Sequence, residues 1–157
     1  MAVSLNLYNS FLKYVADGSY GSGGLTNPNI KLMLVTDSYT PAPTHDVIAD
    51  VLSSPSAEVE QVDSPDNGYT TGGKALTGLT VTLTDSPAGS VWDANDVLWS
   101  ALTATFRYAA LYLDETIGGI VSPLIGYIDF GEDKAYTGED FTVKWPASGI
   151  YTFAEAA

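Results

Sequence analysis

The sequence predicts a mainly β protein, an antiparallel β-sandwich or compact barrel carrying one N-terminal α-helix. Three observations point there. Apolar residues near the N-terminus recur at spacings of three and four; from Gly68 onward, short segments rich in β-branched and aromatic residues alternate with turn residues; and Leu79, Val81 and Leu83 alternate strictly with Thr80, Thr82 and Thr84. The chain has 157 residues, 45% of them apolar and spread from Leu5 to Phe153, enough for one sizeable core. A single domain spanning 1–157 is therefore expected.

The elements follow in order. Leu5, Tyr8, Leu12 and Val15, with Phe11 beside them, predict a helix over residues 3–17 that Gly18 terminates. Residues 18–29 read GSYGSGGLTNPN, a flexible loop by composition. Ile30–Val35 reads as a strand apolar on one face throughout and partly on the other, as expected of a covered strand, and the first helix is the expected cover. Pro41 and Pro43 end it, and Thr44 is placed to cap a short helix over His45–Leu52. Glu58–Val62 reads as a short strand and Asp63–Gly68 as a turn.

The β-rich portion then begins. Leu76–Asp85 reads as a strand with Leu79, Val81 and Leu83 on one face. A turn at Ser86–Gly89 leads to two short apolar pieces about the polar corner Asp93–Asp96. Leu102–Leu113 has the length and β-branched and aromatic content of the longest central strand. Leu124–Phe130, Phe141–Trp145 and Ile150–Phe153 complete a set of about seven to nine strands, with Gly131 beginning a turn.

Composition excludes several functions. Six basic against nineteen acidic residues give a net charge of −13, and the basic ones are scattered singly, so no patch exists to neutralise nucleic-acid or lipid phosphates. Neither nucleic acid nor a membrane is an expected partner. The N-terminal segment is interrupted by Asn6, Asn9, Ser10 and Lys13, so it reads as neither a secretory signal nor a span. The absence of cysteine removes disulfides, thiolate metal sites and thiol nucleophiles.

Several short motifs invite a chemical reading, and each has a simpler one. Gly68–Ala75, GYTTGGKA, fits the phosphate-cradling pattern G-x-x-x-x-G-K-[ST] except at Ala75, which lacks the hydroxyl that would hold Mg²⁺. The β-branched run after it predicts a strand where the pattern needs a helix N-terminus. We therefore expect a β-connection in which Gly72 or Gly73 has positive φ, with Lys74 a solvated end. Asp129–Gly131 spells the metal-binding triplet of protein kinases in a chain lacking every other kinase signature.

His45 is the only histidine, which excludes multi-histidine metal sites and reads as a surface or capping residue. The turn at Asp63–Gly68 fails as a calcium loop because Pro65 and Lys74 occupy ligand positions. Asp93, Asn95 and Asp96, or Glu132 and Asp133, could hold a cation in an irregular loop, and turn chemistry alone explains the same residues. Trp92, Trp99 and Trp145 are expected as core or interface anchors. No catalytic residue, cofactor or metal is expected, and the chain is read as a non-enzyme.

Taken together, SLNLYNSFLKYVADG, KLMLVTDSYTPAPTHDV, NGYTTGGKALTGLTV, VWDANDVLWS, TATFRYAALY and PLIGYIDFGED with GEDFTVKWPASGI resemble, in this order and over nearly the whole chain, small virion structural proteins of tailed bacteriophages, of the head decoration or cement type. The resemblance implies a non-enzymatic β-rich module that binds and stabilises the major capsid protein shell, often as a homotrimer. It also implies residence in the virion after assembly in the bacterial cytoplasm. The alternative is a tail or fibre adhesin module that binds host surface glycan through aromatic loops. The N-terminal face of Leu5, Tyr8, Phe11 and Leu12 is the candidate partner interface, against the simpler reading that it covers the sheet.

Overall fold

The structure is a computed structural model and describes residues 3–20, 23–60, 66–85 and 88–154. Its strands are β1 (Asn6–Leu7), β2 (Ile30–Val35), β3 (Lys74–Ala75), β4 (Thr80–Asp85), β5 (Ala88–Asp93), β6 (Val97–Leu113), β7 (Thr116–Ile117), β8 (Ile120–Val121), β9 (Leu124–Val143) and β10 (Tyr151–Ala154). Two helices, α1 (Asn9–Ala16) and α2 (Ile48–Leu52), and a 3-10 turn at Gly24–Thr26 accompany them. All strand pairs are antiparallel. They form a five-stranded sheet in the order β1-β9-β6-β2-β3, a three-stranded sheet β10-β5-β4 and the small hairpin β7-β8. The fold is mainly β, antiparallel and sandwich-like with an N-terminal helix, as the periodicities predict.

The shape of the larger sheet comes from one long pair of strands. Asn6 pairs with Tyr127, whereas Val3 N–H donates to Lys144 O at 3.3 Å. The seventeen residue steps from 127 to 144 would span about 56 Å if straight, yet Val3 and Asn6 are separated by at most about 11 Å of chain. β9 must therefore curl back on itself, carrying β6 with it. The register breaks at Trp99/Leu102, Leu102/Ala104 and Phe106/Tyr108, and Ala101, Gly131 and Gly138 all have positive φ. Such bulges add local twist and bend, which lets the larger sheet curl around the core. Leu124–Phe130 and Phe141–Val143, read from sequence as separate strands, are thus the two ends of one strand. Gly131 lies inside it.

Side chains from every layer enter a common core: Leu32 and Leu34 from β2, Leu111 from β6 and Ile128 from β9, Trp92 from β5, and Trp99, Phe106, Phe141 and Val143 from the curled ends. The curled part is lined by aromatic rings, with Phe106 and Phe141 centroids 4.8 Å apart and Tyr136 and Phe141 5.0 Å apart. A second core lies on the opposite face of the five-stranded sheet. There Met33, Val35, Ala110, Tyr112 and Leu124 pack against Tyr8, Tyr39, Val51 and Ala57. This explains why β2 is apolar on both faces. The cover of that second face is mainly the segment around Tyr39–Ala57 with α2, while α1 sends Phe11 and Tyr14 into the main core.

Local boundaries shift from the sequence reading for identifiable reasons. The N-terminal helix begins at Asn9, because Asn6 and Leu7 are drawn into pairing with β9. Gly18 follows the helix with φ +72°, as expected of a terminator. The described part of 18–29 is pinned: Tyr20 is buried, Leu25 O accepts a bond from Trp92 Nε1 at 2.9 Å, and Asn27 Nδ2 donates to Glu115 at 2.8 Å. Thr44 does not cap α2. The Asp50 carboxylate does so, accepting from the N–H groups of Asp46 at 2.8 Å and Val47 at 3.1 Å. Glu58 makes a single bridge to Val35, and the rest of the expected 58–62 strand, like Asp63–Pro65, reaches into residues outside the described ones.

Candidate functional site

The N-terminal face divides between interior and surface. Tyr8 immediately precedes α1 and is fully buried, with its hydroxyl 2.9 Å from that of Tyr39. Phe11 is equally buried, edge-on to Tyr20 at 5.4 Å, and Leu5 packs half-buried against the main core. Of the four residues named as an interface, only Leu12 is exposed, at 46%. The face therefore mostly covers the sheet. Val15, one turn beyond Leu12, is 37% exposed and stands at the rim of an apolar groove of about 250 Å³ between α1 and β4. Tyr14, Tyr20, Leu25 and Val81 line that groove as well.

β4 supplies two further exposed apolar side chains, and Leu52, Leu98 and Val121 are exposed singly elsewhere. Its alternation is as expected, but only Leu79, just before the strand, packs against the core: Val81 is 47% exposed and Leu83 85%. Pairing explains this. Val81 lies opposite the large buried Trp92, whereas Leu83 lies opposite the small Ser90, which offers it no apolar cover.

The glycine-rich stretch is a β-connection. Gly72 and Gly73 both have positive φ, and Lys74–Ala75 forms the short strand β3 against β2. Its polar groups are occupied by the protein itself. The Glu58 carboxylate accepts from Gly72 N–H and from Tyr69 Oη at 2.9 Å, so an internal anion already sits where a phosphate would have to bind. Lys74 is not a free solvated end. Its ammonium donates to Leu98 O at 2.6 Å and lies 5.9 Å from the Trp99 ring.

His45 joins a hydrogen-bonded chain that sequence alone does not disclose. Its Nδ1 lies 2.7 Å from Tyr39 Oη, which in turn meets Tyr8. Neighbouring Asp46 accepts from Tyr14 Oη at 2.6 Å, and Ser10 Oγ donates to His45 O at 3.4 Å. The loop after β2 is thereby clamped to α1. Burial pushes the Tyr8 and Tyr39 hydroxyls well above the usual tyrosine range, and burial together with Asp46 pushes Tyr14 up to about 12. These hydroxyls are neutral donors holding loops together.

The acidic corners are likewise used locally. Asp96 accepts from Trp145 N–H at 3.0 Å, Asp93 from Ala94 N–H at 2.9 Å, and Glu132 pairs with Lys134 at 2.7 Å. Asp129 accepts from Arg107 Nε at 3.0 Å and from Gly131 N–H at 2.8 Å, so the kinase-like triplet shapes a bulge. Among the described residues, no three His, Asp or Glu side chains are grouped to hold a metal, and no helix is long and apolar enough to cross a membrane. All three tryptophans are buried, with Trp92 and Trp145 donating to Leu25 O and Asn95 O.

The fold defines a β-rich, sandwich-like protein with apolar side chains held outward on α1 and β4 on either side of an apolar groove. No protein-family model matches the chain, and neither curated proteins nor solved structures give a match to it.

Proposed function

We propose that this chain is a non-enzymatic structural protein of a bacteriophage virion, a head decoration or cement protein that binds the major capsid protein shell and stabilises it. The ordered resemblance over nearly the whole chain supports the reading. The observation in the structure that carries it is the outward display of Leu12 and Val15 beside an apolar groove, on a body of net charge −13. Apolar groups on a strongly acidic surface favour attachment to a protein lattice over nucleic acid.

The mechanism is additive contact. A stable interface removes about 1,200–2,000 Å² of surface, and repetition around a shell multiplies a modest individual affinity. No cofactor takes part. The homotrimer implied by the resemblance would add valency to the same effect.

Two measurements test the reading. Quantitative mass spectrometry of purified particles should give on the order of hundreds of copies per particle, as a lattice-covering protein requires; a few copies would instead place it at the portal or tail and sink the proposal. Purified protein should also bind capsids that lack it and show no preference on a glycan screen. Leu12→Asp combined with Val15→Asp should weaken capsid binding at least about tenfold, or ~1.4 kcal/mol, without changing the circular dichroism spectrum.

A further inference from the structure

The free edges of the two sheets are not alike. β1 and β3 offer two residues each and β10 four. Beyond its pairing with β1, the outer edge of β9 carries Glu132, Asp133, Lys134, Glu139 and Asp140 and is broken by the positive-φ glycines Gly131 and Gly138. Charges and bulges of this kind are how proteins keep an edge from pairing with another chain. β4 has neither. It closes the order β10-β5-β4, pairs with β5 in unbroken register over six residues, and carries no charge before Asp85.

Its sequence is self-complementary. Antiparallel pairing with a second β4 about a twofold axis at Thr82 sets Val81 opposite the partner's Leu83 and Thr80 opposite the partner's Thr84, so apolar meets apolar and hydroxyl meets hydroxyl. Each Asp85 then lies opposite the partner's Leu79, apart from the other Asp85. A one-residue slip would place apolar side chains opposite threonines of the other face, which the two-residue period forbids. In a chain of net charge −13, this uncharged edge is where two copies meet with least repulsion. The edge is about 20 Å long, and the exposed Val81 and Leu83 of both copies would close over one another on the side that faces the core.

We propose that β4 is the edge at which two copies of this chain join, forming a continuous six-stranded sheet β10-β5-β4-β4-β5-β10 with Thr82 on the twofold axis. The inference rests on β4 alone and draws nothing from the virion reading; it sets a twofold pair against the homotrimer that the resemblance implies.

Sedimentation equilibrium over a micromolar to millimolar series tests it, and the cysteine-free chain makes single-cysteine variants clean reporters. The expected result is a reversible dimer. Leu83→Lys should weaken it at least tenfold with an unchanged circular dichroism spectrum, because that side chain is almost fully exposed. Thr82→Cys should cross-link two copies on oxidation, whereas Thr80→Cys, lying four residues from its own counterpart in this register, should not. A monomer throughout the series, a trimer mass, a dimer indifferent to Leu83→Lys, or Thr80→Cys cross-linking as readily as Thr82→Cys would each overturn the proposal.

Discussion

At Gly73 the backbone of one strand leaves no room for a side chain on the next. A Cβ there would lie 2.1 Å from Leu32 O, and the residue already holds φ +77°. Gly131 has a similar φ of +81° but open space around it. Gly73→Ala should therefore cost about 3 kcal/mol or more, since β2 itself must shift, while Gly131→Ala should cost only the ~1–2 kcal/mol of a left-handed L-residue. Denaturant midpoints of the two variants check this, and equal losses would contradict it. Positive φ at Gly72 and Gly73 was legible in the sequence, because two adjacent glycines between β segments have few other uses. What they approach was not: Leu32 lies some forty positions earlier, and Glu58, whose carboxylate occupies the Gly72 amide, is separated from it by residues with no common periodicity. His45 is the same case, its partners Tyr39 and Tyr8 being identifiable only once the loop is docked.

Among the elements, α2 is held by a single carboxylate. Asp50 is kept below the ordinary carboxylate range chiefly by the Asp46 N–H, with burial opposing and the Val47 N–H assisting. A depressed folded-state pKa means that the unfolded chain binds the extra proton as pH falls. The stabilisation is thus fully present above the ordinary aspartate value near 4 and is lost as pH drops below it toward the folded value. Asp50→Ala should cost ~1 kcal/mol at neutral pH and much less at pH 3, as read by thermal melts at both pH values; an equal cost at the two would show that the cap is not ionic. β4 shows the limit of periodicity for whole strands. Alternation correctly placed Leu79, Val81 and Leu83 on one face, but the core ends beneath that strand and leaves Leu83 in solvent. β9 shows the complementary limit, since glycine followed by acidic residues at Gly131 and Gly138 resembles a turn and here makes bulges.

For the molecule as a whole, neutral buried phenols are a recurring fastening. Burial is the leading cause that raises Tyr8, Tyr14, Tyr20, Tyr39, Tyr69 and Tyr112 above the ordinary value near 10. A raised folded-state pKa gives stability that is complete below about pH 10 and declines as pH climbs through the folded values, because only the unfolded chain releases those protons. Native protein titrated at 295 nm should leave these six hydroxyls un-ionised until circular dichroism reports unfolding; their ionisation with the fold intact would refute the picture. By itself, the sequence determined the fold class, β2 to the residue, the N-terminal helix in kind and the positive φ of the glycine pair. Each of these follows from periodicity or from steric demands within a few neighbouring residues. The tertiary structure alone decided that one long hairpin curls the larger sheet around the core, that Tyr8 and Phe11 face inward while Leu12 and Val15 face out, and that β4 leaves Val81 and Leu83 exposed at the edge of its sheet. Periodicity states which side chains share a face, but the cover for that face comes from residues far away in the chain, and only packing reveals where the cover stops.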